Sequence, residues 1–345
     1  MIRRKSMRGG AVPPAWGVEM ACEACHEDPP SPGACHRHGG GKEAVDLAGE
    51  LIGSGLWAPR DQGSRGTCTA FAVVAAEELW HFRNGDRAGG ATRFQALSEE
   101  YLYSAIRRFS YADAGIRRTA TDAGDLEAEG ATYLAQAKLA LEKFGICRGE
   151  LASYEEDRAM NFRHTRFDDA IEEEATARRI SPGTLVHNIV DIEQGPATGL
   201  DRIWQNARGN RHTSEVLQEA LAAGSPVVAA FATLDRVGRG TWFGPEAQLY
   251  GKVIYPSDQY LRGMQPDGGH TVCLVGFLPA GTEGVPKSGA FVLRNSFGAI
   301  DFCWDAGRWG CGPQPACRGY GLISVDDVDR YCWEYLFRRP PDGRG

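Results

Sequence analysis

Apolar positions along the chain follow two kinds of pattern, and the order in which they occur divides it. In the first half the spacing is helical. Phe71, Val74, Ala75, Glu78 and Leu79 share one face, with no Gly or Pro until Gly85, which predicts a long helix beginning near Cys68. A second helix is expected over 97–106, with Ser98 as its N-cap and acidic residues in its first turn. A third runs through Tyr133, Ala137, Leu141 and Phe144 and is closed by Gly145. Residues 168–179 read as a charged helix with a solvated face. Residues 213–223 read as an amphipathic one stopped by Gly224-Ser225-Pro226, and 43–52 have some helical character. After that the pattern changes to short β-prone runs, 227–231, the run following His270 and 290–294, with 238–269 read as a Gly- and aromatic-rich loop. Helices first and strands afterwards predict an α+β fold.

Composition narrows this only a little. The 345 residues are 42% hydrophobic and 24% charged, enough for one large or two small globular domains. The net charge is −7 and the basic residues are dispersed, which argues against a nucleic-acid partner. No apolar run approaches the roughly 18 residues of a membrane helix, so no membrane partner is expected. The first twenty residues are too proline-rich to hold a signal sequence, and a cytoplasmic setting follows. Ten cysteines are many for a reducing compartment. Cys22-x-x-Cys25-His26 followed by Cys35-His36-Arg37-His38 has the spacing of a tetrahedral zinc site, with Cys22, Cys25, Cys35 and His38 as ligands. Its first half also matches the c-type haem attachment motif, whose chemistry requires export. The alternative is a flexible extension ending in Gly39-Gly40-Gly41. Cys303, Cys311 and Cys317 are close enough in sequence to share a metal with Cys332 or a histidine, or to form a buried or redox-labile set.

The chemistry is concentrated at Asp61-Gln62-Gly63-Ser64-Arg65-Gly66-Thr67-Cys68. Glycines let the chain turn, and Cys68 then lies at the start of the long helix, where unpaired N–H groups favour a thiolate. A buried structural cysteine at a helix start has the same local sequence. Far downstream, Gly269-His270-Thr271 leads into a strand, and 290–294 delivers Asn295-Ser296-Phe297-Gly298. Cys, His and Asn in that order are the parts of a thiolate–imidazolium pair with an amide to orient the ring.

These blocks, with Gly319-Tyr320-Gly321-Leu322-Ile323-Ser324, resemble the papain-like cysteine peptidases over roughly residues 55–335. The resemblance implies a two-lobed fold: a helical left lobe, a β-barrel-like right lobe and the active site in the cleft between. It places an N-terminal extension at 1–54 and a peptidase domain at 55–345. Within that domain the helical lobe covers about 55–154, an insertion about 155–212 and the β-rich lobe about 213–335. It implies Cys68 as nucleophile, His270 as base, Asn295 as orienting amide and Gln62 as oxyanion donor. Gly130, Ala230, Gly269 and Thr271 would line the substrate, with Ala230 small enough to admit a bulky apolar side chain.

Departures are equally specific. Thr69 and Phe297 stand where tryptophans are usual, and Gly269 where an acid or asparagine often precedes the histidine. Arg65 occupies a half-cystine position, so the disulfide anchored there in secreted members is absent. Phe297 thins the aromatic cover expected over the His–Asn hydrogen bond. The implied activity is a thiol endopeptidase of bacterial type acting on proteins or peptides, with no cofactor required for catalysis beyond any structural zinc. The segment ahead of the domain is too short for the family's long helical pro-segment, so control by a regulatory partner protein, a ligand or the extension itself is expected. The alternatives are a catalytically silent binding module, or an amide transferase or ligase built on the same thiol.

Overall fold

The computed structural model describes residues 43–85, 94–109, 113–114, 132–156, 167–189, 213–234, 241–255, 268–298 and 318–340. Eight helices are seen there: α1 (Gly49–Gly53), α2 (Cys68–Asn84), α3 (Glu99–Ile106), α4 (Leu134–Lys143), α5 (Asp169–Thr176), α6 (Thr213–Ala222), α7 (Pro245–Tyr250) and α8 (Val325–Tyr331). The strands are β1 (Val45–Asp46), β2 (Leu185–Ile189), β3 (Val227–Thr233), β4 (Lys252–Val253), β5 (Gly268–Leu278), β6 (Ala290–Arg294), β7 (Tyr320–Ser324) and β8 (Cys332–Arg338). They form one sheet in the order β2-β8-β3-β5-β6-β7-β4, with β1 added on β5. All neighbours are antiparallel except β4 and β7. The expected barrel is therefore an open sheet among the described residues: β2 and β4 are its ends and do not pair.

The long helix is more deeply placed than its sequence pattern suggests. From Thr69 to Leu79 every residue of α2 is buried, because the helix packs on the sheet and is covered by α3 and α4. A helix buried on all sides has small or fully paired side chains, and α2 shows both. Alanines recur along it, and its two buried glutamates are satisfied. Glu78 accepts from Trp57 Nε1 and the Leu97 amide, each at 2.8 Å, and pairs with Arg60. Glu77 takes the Arg338 guanidinium of β8, with Nε at 3.0 Å from both carboxylate oxygens.

Several elements match their sequence signals closely. Ser98 caps α3 by accepting from the Tyr101 amide at 2.9 Å. Gly145 follows α4 at φ 76, where an added Cβ would meet the Ala175 carbonyl oxygen at 2.0 Å. Other regions differ. Residues 43–53 hold a short strand before the helix. Residues 241–255, which read as loop, contain α7 and β4; Pro245 supplies the fixed φ of a helix start. The charged helix α5 has the expected solvated face, with Asp169, Ala170, Glu173 and Thr176 exposed, but two of its acids turn inward. Its Glu172 accepts from Tyr101 Oη at 2.8 Å and from Arg108 at 2.6 Å, and Glu174 from Arg148 at 3.0 Å. Acids that look solvated in sequence thus hold α5 to α3 and to the segment after α4. The following strand β2 pairs with β8 at the sheet end.

Candidate active site

Cys68 is the first residue of α2 and is partly exposed. The approach to it is a tight loop: Gly63 sits at φ 58, where a Cβ would collide with Glu156. Residues 60–62 then run antiparallel to 296–298. The Gln62 amide donates to Ser296 O at 2.9 Å, Gly298 N to Arg60 O at 3.1 Å, and Asp61 bridges Phe297. The segment ahead of the cysteine is thereby joined to the one after Asn295.

The Gln62 side chain is buried in this junction. Its Oε1 accepts from Ser296 Oγ at 2.5 Å, and its Nε2 donates to Arg65 O at 2.8 Å. A primary amide carries two N–H donors, so one remains after the bond to Arg65. The first N–H of α2, on Cys68, has no acceptor within its helix. Two donors can thus serve an oxygen beside the thiol.

His270 is the third residue of β5, inside the strand and not ahead of it. Its neighbour across β3 is Phe231, and the next residue, Thr271, lies opposite Ala230. The His270 Nε2 is 2.7 Å from Asn295 Oδ1. That oxygen also accepts the Ser296 amide at 2.8 Å. A backbone N–H can only donate, so the atom it meets is the oxygen, and Nε2 must carry the ring hydrogen. This leaves the Nδ1 lone pair as the ring's proton acceptor.

Cys68 reaches this strand too. The backbone and hydroxyl groups of Thr271 and Thr69 lie close enough to the thiol to favour its charged form. The two hydroxyls are 3.4 Å apart, and Thr69 Oγ1 donates to Thr132 O at 3.2 Å. Burial pushes the Cys68 thiol up, and those polar groups oppose it. Burial likewise lowers His270 to about 4, against the Asn295 bond, which raises it. Each group taken alone favours its neutral form. Burial at Cys68 thus acts against the thiolate expected at a helix start.

The cover over the His270–Asn295 bond is thicker than Phe297 alone provides. Phe297 stacks on the imidazole at 4.6 Å between centroids and 24°. Trp242, fully buried, packs its edge geometry against the same ring at 4.9 Å and 65°. Its indole N–H is directed to Ala232 O at 3.4 Å and Tyr255 Oη at 3.3 Å. Phe243 stacks in turn on Phe297 at 4.8 Å and remains 53% exposed. Sequence reasoning missed Trp242. Its one signal was an aromatic pair just ahead of the Gly244-Pro245 helix start.

Of the other residues singled out, Ala230 is buried in β3, flanked in register by Thr271 on β5 and Glu334 on β8. Gly269 is exposed, and a Cβ there would lie 3.5 Å from the Trp333 ring. Glu334 is fully buried and accepts from the Leu134 and Ala135 amides at 3.0 and 2.8 Å and from His187 Nε2 at 2.8 Å. That bond assigns His187 to the helix start of α4, away from the Cys68 loop. Gly130, Cys22, Cys25, Cys35, His38, Cys303, Cys311 and Cys317 lie outside the described residues. Among the described residues no group of three His, Cys, Asp or Glu side chains is gathered for a metal ion. None of their helices is long and apolar enough to cross a membrane.

No protein-family model matches the sequence, and no curated protein matches it either. Solved structures with a similar architecture include xylellain, a cysteine protease from Xylella fastidiosa, at 17% identity and a TM-score of 0.50 over 86% of both chains. Another is proCathepsin B S9 from Trypanosoma congolense, at 13% identity and a TM-score of 0.49, covering 88% of this chain and 78% of that one. At 17% identity the likeness to xylellain shows the fold alone.

Proposed function

We propose that this chain, which has the papain-like peptidase fold, is a thiol peptidase acting on proteins or peptides through Cys68, His270, Asn295 and Gln62. The observation that carries the reading is the bond from His270 Nε2 to an Asn295 oxygen fixed by a backbone donor, on the strand whose next residue, Thr271, meets Thr69, the neighbour of Cys68, at 3.4 Å.

In the first step His270 Nδ1 takes the thiol proton as sulfur attacks a peptide carbonyl. The S–C bond forms and the carbonyl electron pair moves to oxygen, where the remaining Gln62 N–H and the Cys68 N–H meet the charge. Collapse breaks the C–N bond, and the imidazolium returns its proton to the leaving amine. Water then attacks the thioester, His270 takes its proton and gives it back to sulfur. Every proton and electron pair is supplied by substrate, water and side chains, so these steps need no cofactor. Moving the proton between a partly exposed thiol and a buried neutral imidazole suits this site, since neither charge persists after a cycle. Ala230, Thr271 and the exposed Gly269 would border the acyl side of the substrate, and the four described cysteines, all free, fit a reducing compartment.

The test is incubation with a diverse peptide mixture in ¹⁸O-water, with and without an added amine, beside Cys68→Ala. Cleavage with one ¹⁸O in the new carboxylate, lost in the variant, is the expected result. Transfer to the amine in preference to water would make the enzyme a transferase. An intact wild-type protein that neither cleaves nor transfers would falsify the enzyme reading in favour of a binding module.

A further inference from the structure

We infer that Arg65 is a positioning residue for the oxyanion side of the Cys68 site: its buried ion pair with Glu100 fixes the backbone carbonyl that orients the Gln62 amide. The inference rests on the reading of Cys68 as an acyl-accepting thiol.

The loop ahead of Cys68 has glycines at 63 and 66, so its backbone loses much freedom on folding and needs anchors. Arg65 is the strongest of them. Its side chain is 2% exposed and that of Glu100 1%. Nη1 donates to Glu100 Oε2 at 2.6 Å and Nη2 to Oε1 at 3.3 Å, while Nη1 also meets Glu155 O at 2.7 Å. Tyr103 and Tyr154 lie against the guanidinium at 5.3 and 4.8 Å. Tyr154 then reaches back into the loop: its hydroxyl donates to Gln62 O at 2.7 Å and meets Thr67 Oγ1 at 3.0 Å. Arg65 O itself accepts the Gln62 Nε2 and the Thr67 amide, both at 2.8 Å.

A buried ion pair returns little net stability, because desolvation of both charges offsets their attraction. What a two-point guanidinium–carboxylate contact supplies is direction. Here the direction is handed to a carbonyl, and from it to the amide whose second N–H would meet the oxyanion. Lysine at 65 keeps the charge but offers no planar fork, so the loop regains a rotation about that contact.

The test uses acylation by p-nitrophenyl acetate, in which the Cys68 S–C bond forms, the ester C–O bond breaks and nitrophenolate leaves. It needs no knowledge of the natural substrate. Burst rates are compared for the parent, Arg65→Lys, Gln62→Ala and the double variant, with the adduct located by mass spectrometry. Losing alignment of one oxyanion donor predicts a fall of about ten- to a hundredfold for Arg65→Lys, and no further fall when it is added to Gln62→Ala. Alkylation of Cys68 by iodoacetamide, which develops no carbonyl oxyanion, should stay within about twofold of the parent in Arg65→Lys. Losses that multiply in the double variant, or alkylation that falls in parallel, overturn the assignment. Should Arg65→Lys not fold, the charge-balanced Arg65→Gln/Glu100→Gln pair carries the same comparison. A folded parent that forms no adduct overturns the acyl-transfer reading itself, which is a different outcome from an adduct with multiplying losses.

Discussion

The two sides of the site are held in place by different physics. The Cys68 side is a glycine-containing loop, and its geometry comes from polar anchors: Arg65 on Glu100, Tyr154 on the Gln62 carbonyl, Ser296 on the Gln62 amide. The His270 side is a strand in the middle of a sheet. There the register with β3 places the imidazole, and packing by Trp242 and Phe297 finishes the task. A strand inherits its precision from a ladder that exists for other reasons. A loop has no ladder and must obtain each constraint separately. The polar side should therefore lose function under conservative changes that the packed side tolerates.

The largest expected effect treats both sides alike. Cys68→Ala and His270→Ala should each reduce acylation by several orders of magnitude, since nucleophile and base act as a unit. An activity surviving either change, measured with the same ester, would remove the residue from the mechanism. Next comes the contrast within the amides. Gln62→Ala should lower kcat by about 10²–10³ with little change in KM, and Asn295→Ala should slow turnover less than loss of Cys68. Steady-state kinetics on a cleaved peptide would decide, and an Asn295→Ala protein as inactive as Cys68→Ala would break that ranking.

The packed side is best probed through pH. Burial lowers His270 to about 4, so the neutral imidazole persists well into acid, and acylation should fall only as pH drops through about 4. The unfolded chain's imidazole takes its proton near its ordinary value of 6.5. On going from 6.5 down to about 4 the unfolded state binds the extra proton and the folded state loses stability. Trp242→Ala removes part of the cover, so it should move the acid limb upward and cost about 3–5 kcal/mol of stability. A burst-rate profile and urea melts over the same pH range test both, and an unmoved limb would mean that Trp242 does not desolvate the ring. The smallest effect is expected at Phe297→Trp. With Trp242 already against the imidazole, the larger ring should change the burst rate by less than about threefold.

The sequence carried a good part of this. The helix at Cys68, the cap at Ser98 and the stop at Gly145 were legible because their causes lie within a few residues of one another. The strands at 227–231, after His270 and at 290–294 were legible as short apolar runs, whereas 319–324 entered only through the family resemblance. β8 was not, since Glu334 interrupts its apolar pattern; that acid is tolerated only because the Leu134 and Ala135 amides meet it. Glu172 and Glu174 of α5 read as solvated because nothing in their neighbourhood names Arg108, Arg148 or Tyr101 as partners. Trp242 read as loop, although Gly244-Pro245 marked the helix that follows it.

By itself the sequence determined the order of helices and strands, and the set of groups able to do thiol chemistry, because periodicity and residue type are local properties. The tertiary structure decided which oxygen orients His270, which face of the ring is dry, and that Arg65 is spent on Glu100, 35 residues away. Those outcomes depend on distance in space and on how far water is excluded, which the folded packing sets.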